Sequence, residues 1–339
     1  MQRSHSLIAL ACLASLSVAP DALAGGRNPG SVLIYPVHRS GPTMFSIVSV
    51  TNTNLNPATP VSLGGSTNVH YEYVNVTPGS TPFMPLNCVI FDRIEFLTPA
   101  DTLSVLTTCH NAVAGNIEGY VVVTAEDPAA VYGTAWSFDY LVGSEIVISA
   151  SGVGYSINAI PFSSPVASMQ PTDLDGDDKL DFDGNEYEGI ADYLIVDSFV
   201  AAASSQLTLI NLTGGDQDKN TVLMSIWNDN EFPLSTTLAF NCWFDQPLSR
   251  ISPLFSNAFL ATVPNDPREL DLNCDGTGDI ETGWAIIDSI DVSEPGGGTI
   301  ATDGAVLGAI TTGPFTALSG GRLLWESENV QTNGAFFNR

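Results

Sequence analysis

Four short stretches in the first part of the chain, Val32 to Tyr35, Phe45 to Thr51, His70 to Val76 and Gly119 to Ala125, are rich in β-branched and aromatic residues. Clusters of Gly, Pro, Asn and Asp divide them. Such side chains suit a pleated, half-buried surface, and the dividing residues suit turns. No helical periodicity intervenes. The pattern therefore predicts an all-β fold, a sandwich or barrel of short strands.

The second half repeats the landmarks of the first. Ile34 aligns with Val196, Phe45 with Leu207, Val48 with Ile210, Val50 with Leu212 and Thr51 with Thr213, all at an offset of 162. Asn87-Cys88-x-x-Phe91-Asp92 is echoed by Asn241-Cys242-x-Phe244-Asp245, and the Ile117-Glu118-Gly119-Tyr120 strand by Ile280-Glu281-Thr282-Gly283-Trp284. We expect two tandem immunoglobulin-like β-sandwich repeats at 27–165 and 190–320. An acidic linker, 166–189, would join them, and 321–339 would form a C-terminal tail. The likeness to immunoglobulin domains is architectural, and strand order is not read from it.

The first residues have the form of an export signal, 1–24. Arg3 supplies a positive start, Leu7 to Val18 an apolar stretch, and Ala22-Leu23-Ala24 a small-residue cleavage site. Removal takes Cys12 with it and leaves Cys88, Cys109, Cys242 and Cys274. An even number of cysteines in an exported chain suggests two disulfides, for which three connectivities exist. The duplication selects Cys88–Cys109 and Cys242–Cys274, one in each repeat, each contributing about 3–4 kcal/mol. No later stretch reaches the ~18 apolar residues of a membrane helix. The expected location is secreted or extracellular, with periplasm or cell surface left open.

Charge narrows the classes of partner. Of 339 residues, 37 are acidic and 10 basic, a formal net charge of -27. Such a chain repels phosphate backbones and anionic membranes, which excludes nucleic acid, and it attracts cations. Asp173, Asp175, Asp177, Asp178, Asp181, Asp183, Glu186 and Glu188 crowd the junction between the halves, against a single base, Lys179.

The spacing of these acids resembles an EF-hand-type calcium loop. Calcium takes six to eight oxygens at ~2.3–2.6 Å, and carboxylates at alternate positions of a tight turn converge to supply them. By that resemblance Asp173, Asp175 and Asp177 hold the first, third and fifth positions. Lys179 offers its backbone carbonyl at the seventh, Leu180 is the apolar eighth and Asp181 the ninth. The sequence departs from the family at the sixth position, where Asp178 replaces the usual Gly. It departs again at the twelfth, where Gly184 stands and the bidentate acid is displaced to Glu186. The resemblance implies Ca2+ held with a Kd of about 10⁻⁴–10⁻³ M, the range of extracellular modules. Asp271-x-Asn273-x-Asp275-Gly276, running on to Asp279 and Glu281, shares the opening of dockerin or EF-hand loops but lacks the apolar eighth residue. Its binding of calcium stays open.

Catalytic patterns are absent: there is no Gly-x-Ser-x-Gly elbow and no His-Glu-x-x-His motif. His38, His70 and His110 are scattered and expected to be packed or surface residues. Asp92, Glu95, Asp139 and Glu145 are available as carboxylates without any pair standing out. Trp136, Trp227, Trp243, Trp284 and Trp325 are candidates for a sugar-stacking platform, although Trp243 and Trp284 look like core. The sequence thus suggests no enzyme. It suggests an exported calcium-binding structural or adhesion-type protein whose partner is a protein or glycan at the cell surface. The alternatives are a secreted carbohydrate-binding module or glycoside-active protein, and a self-assembling surface or filament subunit. Oligomeric state stays open.

Overall fold

The computed structural model describes residues 28–77, 87–113, 115–130, 133–149, 154–201, 205–215, 217–264, 270–312, 320–331 and 334–336. The export signal expected at 1–24 lies outside them. The fold is all-β, built from antiparallel sheets, and among the described residues helical structure is confined to single turns such as Asn257–Leu260.

The first half contains β1 (Val32–Ser40), β2 (Met44–Asn52), β3 (Thr67–Thr77), β4 (Asn87–Leu97), β5 (Thr102–Leu106), β6 (Ile117–Glu126), β7 (Leu141–Ser149), β8 (Gly154–Asn158) and β9 (Ile160–Phe162). Their hydrogen-bonded path runs β4-β3-β6-β1-β2-β7-β8, with β5 on β2 and β9 on β1. β1 meets β2 only where Ser40 lies opposite Phe45. The path folds over at that corner, and Leu33, Tyr35, Tyr71, Tyr73, Val121 and Val123 bury against Val48, Val50, Val105 and Leu141.

After β10 (Leu180–Phe182) and β11 (Ile190–Ala191) come β12 (Tyr193–Val200), β13 (Gln206–Asn211), β14 (Lys219–Asn228), β15 (Pro233–Asn241), β16 (Trp243–Pro247), β17 (Thr282–Ser293), β18 (Thr299–Ala301) and β19 (Val306–Thr312). The last described strands are β20 (Gly320–Leu323), β21 (Trp325–Glu326), β22 (Val330–Gln331) and β23 (Gly334–Phe336). One sheet is ordered β15-β14-β17-β12-β21, with β18 on β17, and another β16-β13-β19-β20. These orders match β4-β3-β6-β1 and β5-β2-β7-β8 of the first half, strand for strand. A bulge recurs as well: β1 slips between Tyr35 and His38 opposite Val121 and Gly119, and β12 between Val196 and Phe199 opposite Ala285 and Gly283.

Three sequence expectations are corrected by the pairing. First, the constant offset of 162 misplaces the strands. Tyr35 corresponds to Val196, and Asn52, opposite Leu141, corresponds to Asn211, opposite Val306. Val48 is thus matched by Leu207, a core residue, and not by Ile210, which faces the other way. An odd slip inverts a strand, because successive side chains alternate faces. Second, Cys88 opens β4 whereas Cys242 follows β15, so these cysteines are not equivalent. They bond to each other across the halves, with Cα atoms 6.6 Å apart, while Cys109 and Cys274 are exposed free thiols; the pairs Cys88–Cys109 and Cys242–Cys274 do not form. Third, the described residues of the expected tail, 321–331 and 334–336, are paired: β21 pairs with β12, β22 with β11 and β23 with β10, which places these strands over the junction.

A buried cluster lies between the halves. Val32, Ile34, Val74, Val76, Tyr120 and Val122 of the first meet Ile210, Leu212, Trp243 and Leu307 of the second, with Leu180, Phe182, Tyr187 and Ile190 of the junction included. The strands record this in their burial. β1 is buried at every position, and before its bulge Val32 and Ile34 face the middle cluster while Leu33 and Tyr35 face the first. β14, on the outside, alternates strictly. A sheet covered on both faces loses alternation; a sheet with one wet face keeps it. Polar ties cross the same boundary. Trp243 Nε1 donates to the Pro36 carbonyl at 2.9 Å, and the Arg39 guanidinium pairs with buried Asp245 and with Glu118.

Candidate metal site at the junction

The acidic junction is shaped by its own carboxylates. Asp173 accepts from the backbone N–H of Gly176 at 2.7 Å and of Asp178 at 3.3 Å. Asp175 accepts from Asp177 N–H at 3.2 Å, and Asp177 from Lys179 N–H at 3.0 Å. Each bond tightens the turn by two to five residues. Gly176, Asp178 and Gly184 all have positive φ, at +80°, +60° and +84°. Asp178 therefore adopts the conformation that Gly supplies in related loops, as a short polar residue can.

Glu186 joins the ends of the loop. It is 4% exposed, and its carboxylate accepts from Leu174 N–H at 2.5 Å and Asp181 N–H at 3.4 Å. Asp183 accepts from Asn185 and Glu186 N–H groups and turns the chain so that Glu186 points back. Oxygens of Asp173, Asp175 and Asp177 lie within 4.8 Å of one another, as do those of Asp175, Asp181 and Glu186. Five of the predicted acids thus fall into two overlapping groups that share Asp175. Lys179 adjoins them through its ammonium, which bonds the Asp177 carboxylate. Burial, reinforced by neighbouring acids, raises the pKa of Asp181 and Glu186, whereas the Lys179 ammonium lowers that of Asp177.

The second acidic loop is exposed from Leu272 to Asp279 and shaped in the same way. Asp271 accepts from Asp275 and Gly276 N–H, Asn273 from Asp275 N–H, and Asp275 from Thr277 N–H. Asp279 accepts from Leu272 N–H at 2.9 Å. Glu281 is buried beyond the turn, and among the described residues these acids do not converge as a group.

The histidines are packed, and two of them lie against carboxylates. His38 is wholly buried, edge-on to Tyr73. His110 bonds the Tyr73 hydroxyl at 2.8 Å and Glu95 at 3.3 Å. His70 lies between Glu126 and Asp92. These carboxylates come from other strands, so a linear reading misses the pairs; only His70-x-Glu72, two residues apart on one face, leaves a trace in the sequence. Asp139 accepts from Ser31 and from Ser164 N–H, and Glu145 is fully buried.

Trp136 and Trp243 are core residues. Trp284, expected to be core, is half-buried instead and stacks on Trp227, its cross-strand neighbour, with ring centroids 4.2 Å apart. The reason is topological. The face that forms the middle cluster through Tyr120 in the first half is turned outward in the second. Trp325 is 60% exposed.

The Cys88–Cys242 bond is compatible with an extracellular protein. Among the described residues no helix is long and apolar enough to cross a membrane. Comparison of the chain with protein-family models, curated proteins and solved structures gives no significant match.

Proposed function

We propose that this chain is an exported structural or adhesion-type protein in which one Ca2+ fixes the junction between the halves. The observation that carries the reading is that one segment does two things. Asp173, Asp175 and Asp177 form one close group there and Asp175, Asp181 and Glu186 another, while Leu180, Phe182 and Tyr187 of the same segment enter the middle cluster. Carboxylates this close repel, and a hard cation with six to eight oxygen ligands reverses the sign of the interaction. Binding to the folded loop alone stabilises the molecule by RT ln(1 + [Ca]/Kd), about 1.4 kcal/mol at ten times Kd. Calorimetry with CaCl2 tests this on the native chain and on Asp173→Asn/Asp177→Asn. The native chain should bind with measurable heat and melt at higher temperature in calcium, and the double variant should do neither. A native chain with no binding heat and no calcium-dependent melting overturns the proposal.

Glycan recognition is a second reading, favoured by the outer face of the β15-β14-β17-β12-β21 sheet. Trp325 lies opposite Ile195, Ile195 lies opposite Ile286, and Ile286 is two residues from Trp284, which puts all of them with Trp227 on one face. Flat aromatic surfaces of this kind stack on sugar rings. A glycan array probed with the native chain and with Trp325→Ala decides: specific spots lost in the variant support it, and a blank array removes it.

A further inference from the structure

We propose that His70, Glu72 and Asp92 bind a zinc-class dication, with Glu126 orienting the histidine. Along β3 the side chains alternate. Val69, Tyr71 and Tyr73 enter the first core, so His70 and Glu72 share the opposite face. β4 sets Asp92 directly across from Glu72, and β6 sets Glu126 across from Asn68, diagonal to His70.

The distances describe a metal-binding histidine. Nδ1 lies 3.0 Å from Glu126 Oε1, a carboxylate only 3% exposed. An Nδ1–H donated there leaves the Nε2 lone pair to a metal, which is how a buried carboxylate commonly sets the tautomer of a ligating histidine. His70 is 8% exposed, and its Nε2 has no hydrogen-bond partner among the described residues. It points at the acids. Ligand atoms of His70, Glu72 and Asp92 all lie within 4.8 Å of one another, and His70 Nε2 is 3.4 Å from Asp92 Oδ1. Two bonds of ~2.0–2.2 Å at a tetrahedral angle separate their donor atoms by about 3.4 Å. One imidazole with two carboxylates suits zinc and its neighbours, whereas calcium takes oxygen alone. Three protein ligands leave a fourth position for water. Asp92, more than half exposed, gives the ion a way in, while Glu72 and Glu126 form a buried floor.

The test is zinc calorimetry on the full chain after chelator treatment, with cobalt(II) as a spectroscopic probe. The native chain should bind one equivalent of zinc and, with cobalt, develop the visible absorption of tetrahedral coordination. His70→Ala and Asp92→Asn should abolish both, and Glu126→Gln should weaken zinc by about 10–100-fold. Asp173→Asn/Asp177→Asn should bind zinc like the native chain. Melting in EDTA reports whether each variant folds. If His70→Ala does not, Asp92→Asn decides, because its side chain is exposed. No zinc binding by the native chain, or binding that survives Asp92→Asn unchanged, overturns the proposal.

Discussion

His38 shows how one buried side chain ties folding to pH. It is fully enclosed, and its pKa is lowered from the ordinary 6.5 to about 3, by burial first and by the adjacent Arg39 second. The unfolded chain takes up a proton near pH 6.5 and the native chain does not until about pH 3. Stability is therefore complete above 6.5 and is lost as pH falls from 6.5 toward 3. At ~1.4 kcal/mol per pKa unit, the loss from this residue at pH 4 is about 3 kcal/mol. Urea midpoints measured from neutral pH to pH 4 should fall less steeply in His38→Phe than in the native chain. Parallel acid limbs would contradict this account.

At the level of strands, alternation marks the outer sheets, and continuous burial marks β1, which serves two cores at once. The bulges show why composition alone cannot align the halves. At Gly119 and Gly283 the β6 and β17 backbones pass so close to the carbonyls of Val74 and Trp227 that a Cβ would overlap them. Gly119→Ala and Gly283→Ala should each cost about 2–4 kcal/mol, within the range for backbone strain and disrupted packing. Gly296→Ala, where a Cβ meets nothing within 4 Å, should be nearly neutral. Chemical denaturation of the three variants checks this, and equal costs would refute the bulge argument. The strands themselves were legible in the chain, as was the presence of matching landmarks. The true register was not, because insertions in the loops shift the offset and an odd shift turns core positions outward.

For the whole molecule, the middle cluster joins buried residues of both halves. The Cys88–Cys242 bond closes a separation of 154 residues. By loop entropy it stabilises the native chain by about 5 kcal/mol. The Arg39–Asp245 pair is buried on both sides, so losing Asp245 leaves the buried Arg39 with the half-exposed Glu118 alone and is destabilising. Cys88→Ser/Cys242→Ser and Asp245→Asn should both lower the melting temperature of the entire protein. The native chain should unfold in one calorimetric transition. Two resolved transitions in the native chain would show that the halves are independent.

Much of this protein is written locally. β-branched runs between turn residues specify the strands, and acids spaced two apart specify the junction loop, because alternate carboxylates reach backbone N–H groups a few residues away whatever the rest of the chain does. Other features depend on which strands lie side by side, and in a β fold those come from distant parts of the chain. Cys88 finds Cys242, His70 finds Glu126 and Asp92, and Trp284 faces solvent while its counterpart Tyr120 is buried, all because of how the sheets pair and stack. The chain gave Glu186 a place in the junction loop but carried no sign that Tyr187 beside it would enter the shared core. That was decided only when the halves closed on one another and the last strands returned across the seam.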